Sequence, residues 1–179
     1  PYADYITVNI SSPNTKNLRE LQGEDELDAL LGALSTRREQ LADEYERCVP
    51  LALKVAPDLE DGAIPVIAEV VARHRMDAVI ATNTTIGREG VEGMKHANEG
   101  GGLSGAPLKR KADQTLGELR KALPEEIAMI GVGGITCGQD AVDKLALGAD
   151  LVQFYTGMVY RGPELVSECL RAIKTYREE

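Results

Sequence analysis

The chain has 179 residues, 43% of them apolar and 27% charged. Those proportions fit one ordinary globular domain and exclude collagen-like, low-complexity and wholly disordered classes. A net charge of −9 argues against a nucleic-acid binder and against a broad basic membrane patch, while leaving room for a local cationic pocket that takes an anion.

Cys48, Cys137 and Cys169 are odd in number and show no CxxC or other metal-ligand spacing. They read as free thiols of a reducing compartment, with Cys48 and Cys169 assigned to packing. His74 and His96 each lack a nearby partner at ligand spacing, so neither zinc chemistry nor a Ser-His-Asp relay is supported. The opening Pro1-Tyr2-Ala3-Asp4 has no basic stretch of the kind that begins a signal peptide. No apolar run approaches the ~18 residues of a spanning helix; the richest, Ile64 to Ala72, contains Glu69. A soluble chain is expected, cut out of something longer.

In chain order, short apolar runs alternate with amphipathic stretches. The runs are Tyr5–Val8, Leu51–Val55, Ala78–Ala81, Met129–Val132 and Leu151–Tyr155. They are aliphatic and continuous rather than alternating, which predicts parallel strands buried on both faces. Helical patterns follow at about Asp25–Arg47, Asp61–Arg75, Lys111–Leu123, Gln139–Leu147 and Pro163–Arg177. Asp61 and Thr136 are the expected N-caps, and Gly148 the expected residue just past a helix end. Five βα units suit a doubly wound sheet or part of a (β/α)8 barrel. No GxGxxG follows the first strand, the glycines cluster after the fourth and fifth, and a whole barrel needs about 250 residues. The expected fold is therefore the C-terminal five units of a TIM barrel. The glycine-rich segment Asn83–Arg110 is a candidate active-site lid.

In such folds the C-terminal strand ends make the site. Those ends read Asn9-Ile10-Ser11-Ser12-Pro13-Asn14, Lys54, Thr82-Asn83-Thr84-Thr85, Gly131-Val132-Gly133-Gly134 and Tyr155-Thr156-Gly157. Any one could be ordinary turn chemistry; five together point to a ligand. Lys54 interrupts an apolar strand, where a charge must be paired or face a ligand. It reads as a cation beside an anionic or electron-rich cofactor, as a Schiff-base amine, or as a lysine paired with a barrel carboxylate. The glycines after the fourth strand can present bare amides to a phosphate, with Tyr155 and Thr156 as a second wall, or can serve a tight turn. Gly100-Gly101-Gly102-Leu103-Ser104-Gly105 allows either close approach to a flat ligand or simple flexibility. Ser11 and Ser12 lack a histidine and do not look like acyl-transfer nucleophiles.

These motifs, together with LALKVAPD around Lys54, Ile130-Gly131-Val132-Gly133-Gly134-Ile135 and Leu151–Gly157, resemble the dihydroorotate dehydrogenase family over essentially the whole chain. Serine where other classes carry cysteine resembles the quinone-dependent class 2. The resemblance implies a barrel of the FMN-linked oxidoreductase type, of which residues 1–179 form the C-terminal part. It implies oxidation of dihydroorotate to orotate in pyrimidine (UMP) biosynthesis. Ser12 matches the catalytic base. Asn9, Lys54, Thr82, Gly105, Gly134, Tyr155 and Thr156 match FMN contacts; Asn9, Asn14, Asn83 and Thr84 match substrate contacts. Quinone binding and peripheral attachment to the cytoplasmic side of the membrane are implied for the family's N-terminal portion. Two alternatives stand beside this: a phosphate-binding barrel lyase or aldolase using Lys54, and an inactive half-barrel that associates with itself or a missing half.

Overall fold

The computed structural model describes residues 2–15 and 18–178, without the side chains of Arg19 and Glu20. Its five strands are β1 (Ile6–Asn9), β2 (Leu51–Val55), β3 (Ala78–Ala81), β4 (Ala128–Val132) and β5 (Leu151–Gln153). All neighbours pair in parallel, in the order β1-β2-β3-β4-β5. A doubly wound sheet reverses its order at a switch point; this one never does, which is the arrangement of consecutive barrel strands.

The helices are α1 (Glu24–Tyr45), α2 (Ala63–Arg73), α3 (Lys109–Ala122), α4 (Gly138–Ala146), α5 (Thr156–Arg161) and α6 (Glu164–Glu178), with 3-10 turns at Leu18–Gln22 and Ala106–Leu108. Strand period 2 sorts the sheet into two faces. Leu51, Leu53, Val55, Val79, Ala81 and Met129 face the helices and join Leu27, Leu31, Ile67, Val71, Leu116 and Leu119 in the main core. Fully burying a side chain of this size stabilises by ~1.5–3 kcal/mol. Ala52, Ala78, Ile80 and Ile130 form a smaller cluster on the opposite, inner face. Lys54 has the parity of Ala52, so it belongs to that inner face. The register Asn9↔Lys54↔Ile80↔Ile130 carries one row across four strands.

β2 and β3 are buried as expected, but β1 is largely exposed and β5 partly so. The reason is position: both are sheet edges among the described residues, and neither is covered like the strands between them. β1 runs one residue later than read, and β5 stops at Gln153, because Tyr155 already caps α5, a helix the sequence pattern did not announce. Two N-caps also differ. Gly62 caps α2 instead of Asp61. Cys137 caps α4, because Asp140 reaches back to the Thr136 and Cys137 amides and also takes the Thr136 hydroxyl. Gly148 has φ +96° just beyond the C-cap Leu147, as expected. Cys169 is buried, in line with a packing role, but Cys48 is exposed and packs in no core.

Candidate active site

A cavity of about 400 Å³ opens at the C-terminal strand ends. Eight of the eleven site residues picked from the sequence line it: Lys54, Thr82, Asn83, Thr84, Gly105, Gly134, Tyr155 and Thr156. Asn9, Ser12 and Asn14 are not among its lining residues and belong to the segment following β1.

Asn83, one of the lining residues, also anchors a polar knot between β1 and β3. Asn83 Nδ2 donates to Asn9 Oδ1 at 3.2 Å and to Ser11 Oγ at 3.1 Å. Ser11 Oγ in turn lies 2.9 Å from both Asn9 Oδ1 and the Lys54 carbonyl, so its single proton goes to one of the two. The Asn83 Oδ1 accepts the Thr84 amide at 2.8 Å. With its backbone amide on Val55 O, Asn83 is held at both ends. Ser11 is wholly buried and is the hub of the knot, although the sequence, which places it at the strand end, assigns it no role. The available signal was its position two residues past a strand end, between Asn9 and Ser12. Ser12 is half-buried, and its Oγ accepts the Asn14 amide at 3.3 Å.

Lys54 is half-buried, and burial pushes its ammonium below the ordinary lysine value. Among the described residues it has no carboxylate within 4 Å. The described residues offer no carboxylate for the paired-lysine reading; a desolvated cation on the inner face suits an anionic or electron-rich ligand.

The far wall is built from glycines in left-handed backbone. Gly105 has φ +79° and Gly134 φ +78°. A Cβ on Gly134 would stand 2.8 Å from the Lys109 backbone nitrogen and closer still to its Cα. The glycine is therefore demanded first by the α3 backbone, not by a ligand. Thr156 Oγ1 donates to Ser104 Oγ at 2.8 Å, tying the start of α5 to the loop before Gly105. Tyr155 is largely exposed at the rim.

The segment Asn83–Arg110 is pinned, unlike a loose lid. Thr85 and Leu103 form an antiparallel bridge, and the Arg88 guanidinium donates to the carbonyls of Ile86, Gly87, Glu99 and Gly101. Asp58 accepts from Thr85 Oγ1 and Lys111 Nζ, both at 2.6 Å, and from the Ile86 amide at 2.9 Å. Burial works against ionisation of Asp58, but those donors outweigh it and hold its carboxyl below the usual range. The glycine tract does approach something closely, though it is the protein itself. A Cβ on Gly102 would run into the Thr84 side chain and meet Pro13 Cγ at 3.0 Å, and one on Gly101 would meet Asn14 Oδ1 at 3.2 Å.

Sequential parallel strands, a cavity at their C-terminal ends, an unmatched inner-face lysine and a backbone of positive-φ glycines define part of an α/β-barrel protein with a strand-end site. Comparison with known proteins is specific. The family described as Dihydroorotate dehydrogenase matches residues 1–176. The chain is 58% identical over 173 residues to the Dihydroorotate dehydrogenase (quinone) of Bordetella pertussis, covering 97% of this chain and 50% of that relative. It is 57% identical over 177 residues to the enzyme of the same name from Delftia acidovorans, covering 99% and 51%. The crystal structure of the Eimeria tenella enzyme in complex with ferulenol superposes with a TM-score of 0.90 at 35% identity, over 96% of this chain and 49% of that one. The chain belongs to the dihydroorotate dehydrogenase family. It spans about half the length of the relatives it matches.

Proposed function

We propose that the protein containing this chain oxidises dihydroorotate to orotate in pyrimidine (UMP) biosynthesis, with FMN as cofactor and a quinone as electron acceptor. The observation that carries the reading is the gathering of eight matched residues around one cavity in a chain of this family. The lyase alternative finds no support in that family assignment.

The residues present suit FMN. Gly105 and Gly134 leave backbone bare beside Thr156 and Tyr155, a neutral cradle for a phosphate. Among the described lining residues Lys54 is the one cation, and it would stabilise negative charge on a flavin ring. Thr82 is buried with its hydroxyl turned to the Asn83 carbonyl, stiffening the strand end against which a ring would lie. When bound, FMN would take the hydride leaving C6 of dihydroorotate.

The chain's own part is positioning and one proton. Asn9, Asn14, Asn83 and Thr84 would hold the substrate's carbonyl, amide and carboxylate groups through side-chain amides and a hydroxyl. Ser12 would receive the C5 proton. Its hydroxyl has no histidine beside it: His74 is engaged with Asp28 and His96 with Glu99. That suffices only because the C5 proton lies alpha to a carbonyl, so a weak base with a route to solvent can remove it. Loss of that proton and of the hydride leaves the C5=C6 double bond of orotate.

Contact with quinone, and peripheral attachment to the cytoplasmic side of the membrane, fall in this reading to the part of the relatives' length outside this chain. No helix among the described residues is long and apolar enough to cross a membrane. The test is direct. The full chain is titrated with FMN, then given dihydroorotate without oxygen. Bound flavin whose visible band bleaches supports the proposal. Absence of FMN binding, even with the other half of a relative supplied, would overturn it.

A further inference from the structure

Behind the glycine wall lies a set of buried and half-buried charges that the proposed chemistry does not use. Lys144 on α4 is wholly buried, an unusual place for an ammonium. Its Nζ lies 2.7 Å from Asp113 Oδ1 on α3. The same carboxylate takes Lys109 Nζ at 2.9 Å on its other oxygen, and Lys109 also reaches Asp143 at 2.9 Å and Asp140 at 3.7 Å.

Three contacts connect this set to the turn between β4 and α4. Lys144 Nζ donates at 3.5 Å to the Val132 carbonyl, which also accepts the Thr82 amide at 3.0 Å. Asp140 Oδ2 takes the Thr136 amide at 2.8 Å and the Cys137 amide at 3.2 Å. The Lys109 backbone occupies the place where a Gly134 side chain would stand. A Cβ on Gly131 would meet the Lys144 stem at 3.0 Å, so glycine there makes room for the lysine to pass. The turn is thus gripped before Gly133, at Gly134 and again at Thr136 by one connected group of charges.

We infer that Lys144, Lys109, Asp113 and Asp140 are positioning residues that hold the Gly133–Gly134 turn ready for a phosphate monoester. This rests on the flavin phosphate reading given above. The charges do not touch the cavity; they fix the backbone whose amides would. A pre-set turn spares the ligand the ordering of that backbone on binding. A carboxylate–lysine group shared by α3, α4 and the turn keeps a fixed geometry because each buried charge needs its partners in place.

The test uses the full chain and two variants, Lys144→Met and Lys109→Met. The first substitutes a buried apolar residue of similar length; the second lies at a partly exposed site and leaves the buried lysine in place. Two readouts are taken. Amide hydrogen exchange at Gly133–Thr136 is measured without ligand, and affinities are measured for FMN and for riboflavin, which lacks the phosphate. Exchange is expected to accelerate on the order of tenfold in Lys144→Met. FMN affinity is expected to fall about tenfold with riboflavin affinity unchanged. Lys109→Met should move both readouts in the same direction by less. Unchanged exchange overturns the inference, and so does an equal loss for the two flavins, which would mark a general packing defect. If the unsubstituted chain binds neither flavin, even with the other half of a relative supplied, the proposed function fails, while the exchange comparison still decides whether the charges hold the turn.

Discussion

Tyr5 and Gln153, at opposite edges of the sheet, meet: the Gln153 side-chain amide donates to the Tyr5 hydroxyl at 3.1 Å. Five strands thus curl far enough for the residue before β1 to reach the last residue of β5, although those strands pair only with β2 and β4. Among the described residues the two edges are unpaired, with Ile6 and Leu151 47% and 60% exposed. Unpaired parallel edges carrying apolar side chains recruit other strands.

The isolated chain is therefore expected to associate as its concentration rises. Ile6→Lys, which places a charge on one open edge, should shift association to higher concentration. Light scattering across a dilution series checks this; a monomer at all concentrations for the unsubstituted chain would contradict it.

Lys54→Met should separate stability from flavin affinity. Burial holds the folded-state pKa below the unfolded value of ~10.4. A cation whose pKa is depressed on folding costs stability below that folded value, and the cost fades as pH rises through the window up to the unfolded value. Removing the charge is expected to raise the midpoint of urea unfolding at neutral pH and to flatten its rise at alkaline pH. FMN affinity should fall by about tenfold or more, the loss expected for a charged partner. A variant with lowered stability and unchanged flavin binding would show that Lys54 serves the fold.

Asp58→Asn should loosen the segment from Ile86 to Leu103. The carboxylate joins Thr85, Ile86 and Lys111, and loss of charge-assisted hydrogen bonds at a half-buried site costs about 1.5–3 kcal/mol. Because its folded pKa lies below the ordinary carboxylate value, the stabilisation is complete above about pH 4 and disappears as pH falls through the depressed value. Limited proteolysis should cut this segment faster in the variant at neutral pH. It should cut the unsubstituted chain faster only under acid conditions.

Gly134→Ala should destabilise the chain by roughly 2 kcal/mol or more, since φ there is positive and the Cβ meets the Lys109 backbone. Because the obstruction is internal, the loss should appear in unfolding without any ligand. Equal unfolding midpoints for the two proteins would show that α3 yields to make room.

Much of this was legible in the residues, for reasons that differ by element. LALKV and AVIA are continuous apolar runs and became β2 and β3 with the boundaries read from them. The same cue misjudged β1 and β5, because burial of an edge depends on a neighbour that the run itself does not encode. Lys54 stood out as a charge inside an apolar strand. Lys144 did not, because a lysine in an amphipathic helix reads as a solvated face, and only the packing of α4 against α3 and the Gly131 gap turns it inward. Ser11 stayed hidden behind Ser12. Adjacent serines at a strand end are alike in sequence, and the turn geometry alone decides which is buried. Thr136 looked like a cap until Asp140 claimed both its donors.

The strand order also bears on how the chain is made. Among the described residues each strand pairs only with its neighbours in sequence. As the chain emerges from the ribosome, each of β2 to β5 finds the strand it pairs with in this sheet already made. Contacts between consecutive units keep loop-closure costs modest for a parallel sheet. Growth of this kind keeps the β1 edge open and adds a second, moving edge at the advancing strand, so part of the aggregation risk travels along the chain with synthesis.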